Sequence, residues 1–331
     1  MKNDHNGRHI LVTGGCGYIG SHVTRQLSEA GFKPVVVDNL SAGFPEFLLN
    51  GEPLVKGSCG DVELVAQTLR KYQIESVMHF AASVVVPESV AEPVKYYQNN
   101  VVNSLNLIQT CVANGVRNFI FSSTGSVYGE DAPVPASETD RPAPTNPYSR
   151  SKWITEEMLR DIALSTGLRY TILRYFNVAG AHPGGKLGQK SKDATHLIKI
   201  GAEVATGKRA VLKIFGNDFD TKDGTGVRDY IHVEDLAAAH LAALSYLDAG
   251  GNPDTFNCGY GRGFSVLEVI KALEQACGHS LPVEIAPRRP GDISASVADN
   301  QKILTKLGWK PRHDNLDVIV KHALAWEKSL D

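Results

Sequence analysis

Apolar positions along the chain fall into two rhythms. Short unbroken runs recur at Ile10–Val12, Pro34–Val37, Ser76–Ala82, Asn118–Ser123 and Leu168–Tyr175, and each reads as a strand buried on both faces. Between them the spacing turns helical, through Tyr18, Ile19, Val23 and Leu27, then over 60–71, 93–113 and 148–165. This alternation predicts a parallel sheet covered by helices on both sides. Near residue 180 the pattern changes. Gly180–Asp193 is a polar loop, followed by a helix over 195–206 and a strand at Leu212–Phe215. The turn-rich Gly216–Gly226 precedes Arg228–Val233 and an alanine-rich helix over 234–247. A strand surrounds Asn257, helices follow at 265–276 and 315–328, and Pro282–Gly291 reads as irregular around a basic pair.

The first strand stops at Gly14, and Gly14, Gly17 and Gly20 open the first helix. A strand–turn–helix with glycines at this spacing suits a dinucleotide pyrophosphate, because the backbone must come close to phosphate and to the helix. Asp38 ends the second strand 24 residues past Gly14, where a carboxylate meets an adenosine ribose. The fold class is therefore α/β: a Rossmann-type parallel sheet plus a smaller, interleaved C-terminal α/β domain for substrate. Residues 1–177 form the first domain, with 230–260 returning to it. Residues 178–229 and 261–331 supply mainly the second.

Tyr148 and Lys152 stand four apart at the start of a predicted helix, on one face. A neighbouring ammonium favours a phenolate and makes tyrosine a usable proton acceptor near neutrality. Thr124, just past the fourth strand, lies where open parallel sheets bind ligands, and its hydroxyl can share a bond with a reacting oxygen. Arg228 and Arg289 carry guanidinium forks suited to a diphosphate. Asp292 can accept from ribose hydroxyls or pair with an arginine.

Composition narrows the classes. A formal net charge of −2 over 331 residues argues against a nucleic-acid surface. No apolar stretch is long enough to span a bilayer. The start, Met1–Arg8, lacks a signal-peptide core, and five cysteines without a CxxC pair suit a reducing cytoplasm. Eleven histidines show no ligand-pair spacing, so no metal is expected.

Several stretches together carry a family resemblance: Gly14–His22, Val37–Leu40, His79–Ala82, Tyr97–Val101, Phe119–Thr124, Pro147–Lys152, Arg174–Asn177, Gly224–Val233 and Ala286–Asp292. The chain resembles the UDP-glucose 4-epimerases (UDP-galactose 4-epimerases) of the extended short-chain dehydrogenase/reductase family. The resemblance implies tightly held NAD that takes a hydride from C4 of the hexose and returns it to the other face. Thr124, Tyr148 and Lys152 would carry the chemistry. Gly14, Gly17, Tyr18, Ile19, Gly20, Asp38, Asn39, Phe80, Ala81, Asn99, Tyr148, Lys152 and Tyr175 match the NAD environment. Thr124, Asn177, His196, Leu197, Phe215, Arg228, Tyr230, Arg289, Asp292 and Ser296 match contacts to the UDP-sugar. It also implies a homodimer through helices at about 93–113 and 150–165, and no membrane or nucleic-acid partner.

Four positions depart from the family's pattern. Ser58 replaces a usual aspartate facing adenine, Val84 a lysine near the NAD phosphates, and His196 stands near a substrate-contacting asparagine. Ser296 is small where a tyrosine closes the pocket beside the C2 substituent in hexose-restricted members, so the resemblance implies UDP-GlcNAc/UDP-GalNAc as a second substrate pair. UDP-xylose/UDP-arabinose is an alternative. A sugar-nucleotide 4,6-dehydratase would need carboxyl groups after Thr124, where Gly125 and Ser126 stand instead.

Overall fold

The computed structural model describes residues 7–191, 194–289 and 291–330. The segment 1–6, Lys192 and Asp193 of the polar loop, and Pro290 of the basic turn lie outside these. The chain divides into two units.

The first unit comprises Met1–Val127, Pro144–Arg174 and Ala237–Phe256. Its strands are β1 (His9–Thr13), β2 (Lys33–Asp38), β3 (Leu54–Lys56), β4 (Ser76–His79), β5 (Asn118–Thr124) and β6 (Arg169–Tyr175), and all but β3 fall on the apolar runs. With Asp254–Cys258 at one edge, the order across the sheet is Asp254–Cys258, β6, β5, β4, β1, β2, β3. β1 pairs in parallel with both β2 and β4, β2 with β3, and β4 with β5. Ile10, Leu11 and Val12 have no exposed surface, which explains why the run is unbroken rather than alternating. On one face Leu11, Val35, Val77 and Phe119 pack against Leu69, Leu107 and Ile108 from helices. Each such side chain contributes about 1.5–3 kcal/mol by burial. The short edge strand β3 has half-buried Leu54 and Val55 and escapes the sequence pattern.

Strand order reverses between β1 and β4, which opens a crevice at their carboxyl ends. The segment expected as one helix over 93–113 is helical throughout but contains a π-helical turn, Tyr97–Val102. A side chain explains the wide turn: Asn100 is pulled out of register to bond Ser83 and Ser151.

The second unit comprises Tyr128–Ala143, Tyr175–Leu236 and Asn257–Asp331. Three small sheets organise it. Asn177–Ala179 pairs in parallel with Tyr230–His232, and Val227–Arg228 lies between Phe264–Ser265 and Ala295–Ser296. Leu212–Phe215 pairs in parallel with Val283–Ala286. That last strand corrects the expectation of an irregular Pro282–Gly291. Four residues between two prolines, with Val283 and Ile285 largely exposed, carry too little pattern to signal a strand. Helix Val266–Cys277 starts with a capping box between Ser265 and Glu268, and Asn315 caps Leu316–Ser329. Among the described residues no helix is long and apolar enough to cross a membrane.

Candidate active site

In the first unit, helix α1 (Tyr18–Glu29) begins directly after the glycine turn, with Gly17 at its N-cap and no side chain capping it. A helix start of this kind turns backbone N–H groups and the positive end of the helix dipole toward an anion. Gly14 has φ +72°, and a Cβ there would lie 2.7 Å from the Ala81 nitrogen. A Cβ on Gly20 would lie 2.2 Å from the Gly14 carbonyl oxygen. Only glycine lets the β1 turn, the α1 backbone and the Phe80–Ala81 segment meet this closely. Tyr18 and Ile19 are half-buried on the first turn of α1.

Asp38 closes β2 with a buried carboxylate. Its oxygens accept from the Cys16 N–H at 3.0 Å and the Leu40 N–H at 2.8 Å. Each oxygen retains acceptor capacity for a ribose hydroxyl. Asn39 is exposed and caps its own turn by accepting from the Ser41 N–H. Ser58 Oγ accepts from the Gly60 N–H, while Asp61 caps helix Val62–Tyr72 through Leu64. Asp61 is therefore committed to its helix and is no simple replacement for the aspartate that Ser58 lacks. Val84 is half-exposed.

The proton-transfer candidates gather at the carboxyl end of β5. Asn146 caps helix Pro147–Thr166 in a capping box with Ser149, which fixes the entry into the Tyr148–Lys152 turn. Both side chains are buried, and the Lys152 Nζ donates to the Ser122 carbonyl at 2.8 Å and lies 5.0 Å from the centre of the Phe121 ring. Burial pushes Lys152 down to about 8, against an upward pull from Glu156. Thr124, two residues past Ser122, is buried and accepts from the Ser126 N–H at 3.1 Å.

A buried polar chain supports this helix. Ser104 Oγ donates to the Asn100 carbonyl, so it accepts from His79 Nε2, which leaves His79 Nδ1 to accept from Thr13 Oγ1 at 2.6 Å. Asn100 Nδ2 reaches Ser151 Oγ at 3.0 Å, and Ser151 donates to the Tyr148 carbonyl at 2.7 Å. Burial holds His79 down at about 3 and therefore neutral. Asn99 Nδ2 donates to Ser83 Oγ at 3.0 Å, at the loop that follows β4. Sequence reasoning missed Asn100, Ser151 and Glu156. The i, i+4 step from Lys152 to Glu156 was the available signal.

In the second unit Asn177, His196, Leu197 and Tyr230 line one cavity, joined by Gln189 and Trp326. Strand register explains part of this, since Tyr230 pairs with Asn177, whose N–H donates to the Asp229 carbonyl at 2.9 Å. Asp229 is buried, and its carboxylate accepts from the Tyr260, Gly261 and Ala298 N–H groups. It thereby fixes the strand that carries Arg228 and Tyr230. Burial lowers the Arg228 guanidinium below its ordinary value, with Tyr230 and Asp292 pulling upward and Arg289 adding to the drop. Arg289 donates to Asp292 at 2.9 and 3.2 Å and stacks 4.6 Å from the Phe215 ring. Ser296 pairs in register with Arg228, and its carbonyl accepts from the Asp229 N–H. Tyr175 ends β6, half-buried. Among the described residues, no cluster of three His, Cys, Asp or Glu side chains is arranged to hold a metal.

Comparison with known proteins matches the NAD dependent epimerase/dehydratase family over residues 10–259. The chain is 52% identical over 322 residues to a UDP-glucose 4-epimerase of Azospirillum brasilense, covering 97% of this chain and 92% of that protein. The crystal structure of UDP-glucose 4-epimerase from Brucella ovis in complex with NAD superposes with a TM-score of 0.93 at 42% identity, over 96% of this chain and 98% of that one. The UDP-Glc/GlcNAc 4-epimerase from Campylobacter jejuni gives a TM-score of 0.86 at 47% identity, over 97% and 99%. On this evidence of sequence, sheet order and glycine turn, the chain belongs to the NAD dependent epimerase/dehydratase family.

Proposed function

We propose that the chain catalyses the reversible C4 epimerisation of UDP-glucose and UDP-galactose with bound NAD. The observation that carries this reading is the Lys152 ammonium, one helical turn from Tyr148, held on the carbonyl of Ser122 in the strand that ends two residues later in Thr124. The cradle that a Cβ on Gly14 or Gly20 would fill, the uncapped start of α1 and the Asp38 carboxylate together fit a dinucleotide. Asn39, Phe80, Ala81, Asn99 and Tyr175 complete the residues assigned to it. When bound, NAD supplies a hydride acceptor that gives the hydride back.

Tyr148 accepts the proton of the C4 hydroxyl as that carbon is oxidised and returns it when the carbon is reduced again. Thr124 donates a hydrogen bond to the reacting oxygen, and the Lys152 cation favours the Tyr148 phenolate. One proton and one hydride leave and return, so no external reductant is consumed. Between the two halves the 4-keto sugar must present its other face. The nucleotide is therefore held firmly, by Asn177, His196, Leu197, Phe215, Arg228, Tyr230, Arg289 and Asp292, and the hexose loosely.

Ser296 supports a second substrate pair, UDP-GlcNAc and UDP-GalNAc, because its side chain is small beside Arg228. We also propose a homodimer through the helices at about 93–113 and 150–165, where Val94 and Leu164 are 79% and 89% exposed. The five free cysteines favour a cytoplasmic location.

The test is to incubate the holoenzyme with UDP-galactose and no added reductant, and to separate the products. Formation of UDP-glucose is expected. No turnover with NAD bound overturns the reading, and a 4-keto-6-deoxy product assigns dehydration instead.

A further inference from the structure

We infer that Glu156 is a positioning residue of this site, clamping the end of β5 and supplying the counter-charge one turn beyond Lys152. The inference rests on the roles proposed above for Tyr148 and Lys152.

Glu156 has no exposed surface. Its Oε1 accepts from Ser123 Oγ at 2.5 Å, and Ser123 stands between Ser122, the acceptor for Lys152, and Thr124. One carboxylate thus fixes the strand segment that presents both groups. Arg174 from β6 binds it at two points, Nε at 3.0 Å and Nη2 at 2.6 Å, and Arg160 reaches it at 3.0 Å. A buried carboxylate is costly to desolvate, and the buried Arg174 guanidinium offsets that cost here. The same carboxylate stands one helical turn from Lys152 and bonds the residue next to its acceptor.

The groups acting on Lys152 come from three elements. Glu156 lies on its own helix, Cys59 follows β3, and His79 belongs to β4. Burial pushes the Cys59 thiol up to about 11 and His79 down to about 3, so both are neutral at neutral pH. Of the three, Glu156 alone carries a carboxyl group, and it shares that group with the Arg174 and Arg160 guanidinium groups. Its attraction opposes the burial that drives Lys152 to give up its proton.

Two variants separate clamp from charge. Glu156→Gln keeps an oxygen for Ser123 and removes the charge, whereas Ser123→Ala removes the clamp and keeps the charge. For each holoenzyme, kcat and KM are measured from neutral to alkaline pH. Isotope-edited NMR follows the lysine side chains, with Lys152 assigned by Lys152→Met. In Glu156→Gln the Lys152 midpoint and the alkaline limb of kcat should both fall by about one pH unit, tenfold in the protonation equilibrium, with KM little changed. Ser123→Ala should lower kcat without moving either midpoint. An unmoved Lys152 midpoint in Glu156→Gln, or an equal shift in Ser123→Ala, overturns the inference. A shifted midpoint in a protein that epimerises no UDP-sugar would instead leave Glu156 in this role and remove the proposed reaction.

Discussion

Lys152 and Ser122 are tied by a single bond, from the lysine Nζ to the serine carbonyl at 2.8 Å, between the helix that carries Tyr148 and the strand that ends in Thr124. The bond holds an ammonium in a nearly dry site, and dryness sets its titration. Because burial brings Lys152 down to about 8, the cation is lost as pH rises through that value. Epimerisation should therefore decline with a midpoint near pH 8. Lys152→Met should turn over on the order of a hundredfold more slowly and lack this alkaline limb. Initial rates of UDP-galactose conversion against pH check both.

Gly14→Ala should abolish cofactor retention. The new methyl would need to occupy space 2.7 Å from the Ala81 nitrogen while the backbone keeps φ +72°. Both demands act at the sheet's switch point, and relaxing them moves the turn out from under a pyrophosphate. Purified variant protein should carry little NAD, read from its absorbance after denaturation. A full complement of NAD would contradict the fit of the glycine turn.

The parts legible in the sequence share a physical cause. β1 and its glycine turn are legible because the apolar run Ile10–Val12 and the glycine spacing are contiguous in the sequence, although the backbone that forbids a Cβ on Gly14 is that of Phe80–Ala81. The Tyr148–Lys152 step is legible for the same reason, because helix geometry alone sets it. The Asn100 turn is not, since its wide hydrogen bonding depends on Ser83 and Ser151, 17 and 51 residues away. Val283–Ala286 is hidden because its partner strand lies far back in the chain and three of its four residues are exposed.

Arg228→Met should weaken UDP binding by roughly ten- to a hundredfold, the worth of a charge-assisted hydrogen bond of about 1.5–3 kcal/mol. A diphosphate contact takes no part in the proton transfer at C4, so kcat should change little. Inhibition by UDP, measured beside kcat and KM, distinguishes this from a general loss of fold. Unchanged inhibition would remove Arg228 from the nucleotide site.

His79 links stability to acid. Its folded-state value of about 3 lies below the ordinary 6.5, so the unfolded chain binds the extra proton first. The stabilisation is fully present above pH 6.5 and is lost as pH falls through about 3. His79→Gln should cost about 2 kcal/mol at neutral pH through lost bonds to Thr13 and Ser104. Denaturant titrations of both proteins should show that deficit shrinking on acidification, and a deficit independent of pH would contradict a neutral buried imidazole.

Ser296→Tyr bears on substrate range. Ser296 is paired in register with Arg228, so the two side chains leave the same face of their small sheet. The Asp229 N–H holds the Ser296 backbone at 3.0 Å, so the strand has little freedom to retreat from a larger residue. A phenol at this position would occupy the space that the Cβ hydroxyl of serine leaves open. UDP-glucose turnover should stay within about threefold, since a hydroxyl at C2 needs no such room, whereas conversion of UDP-GlcNAc should fall by on the order of a hundredfold through steric exclusion. Competition between the two nucleotide sugars, followed by product separation, reads this ratio directly. Equal losses on both substrates would place Ser296 outside the C2 pocket.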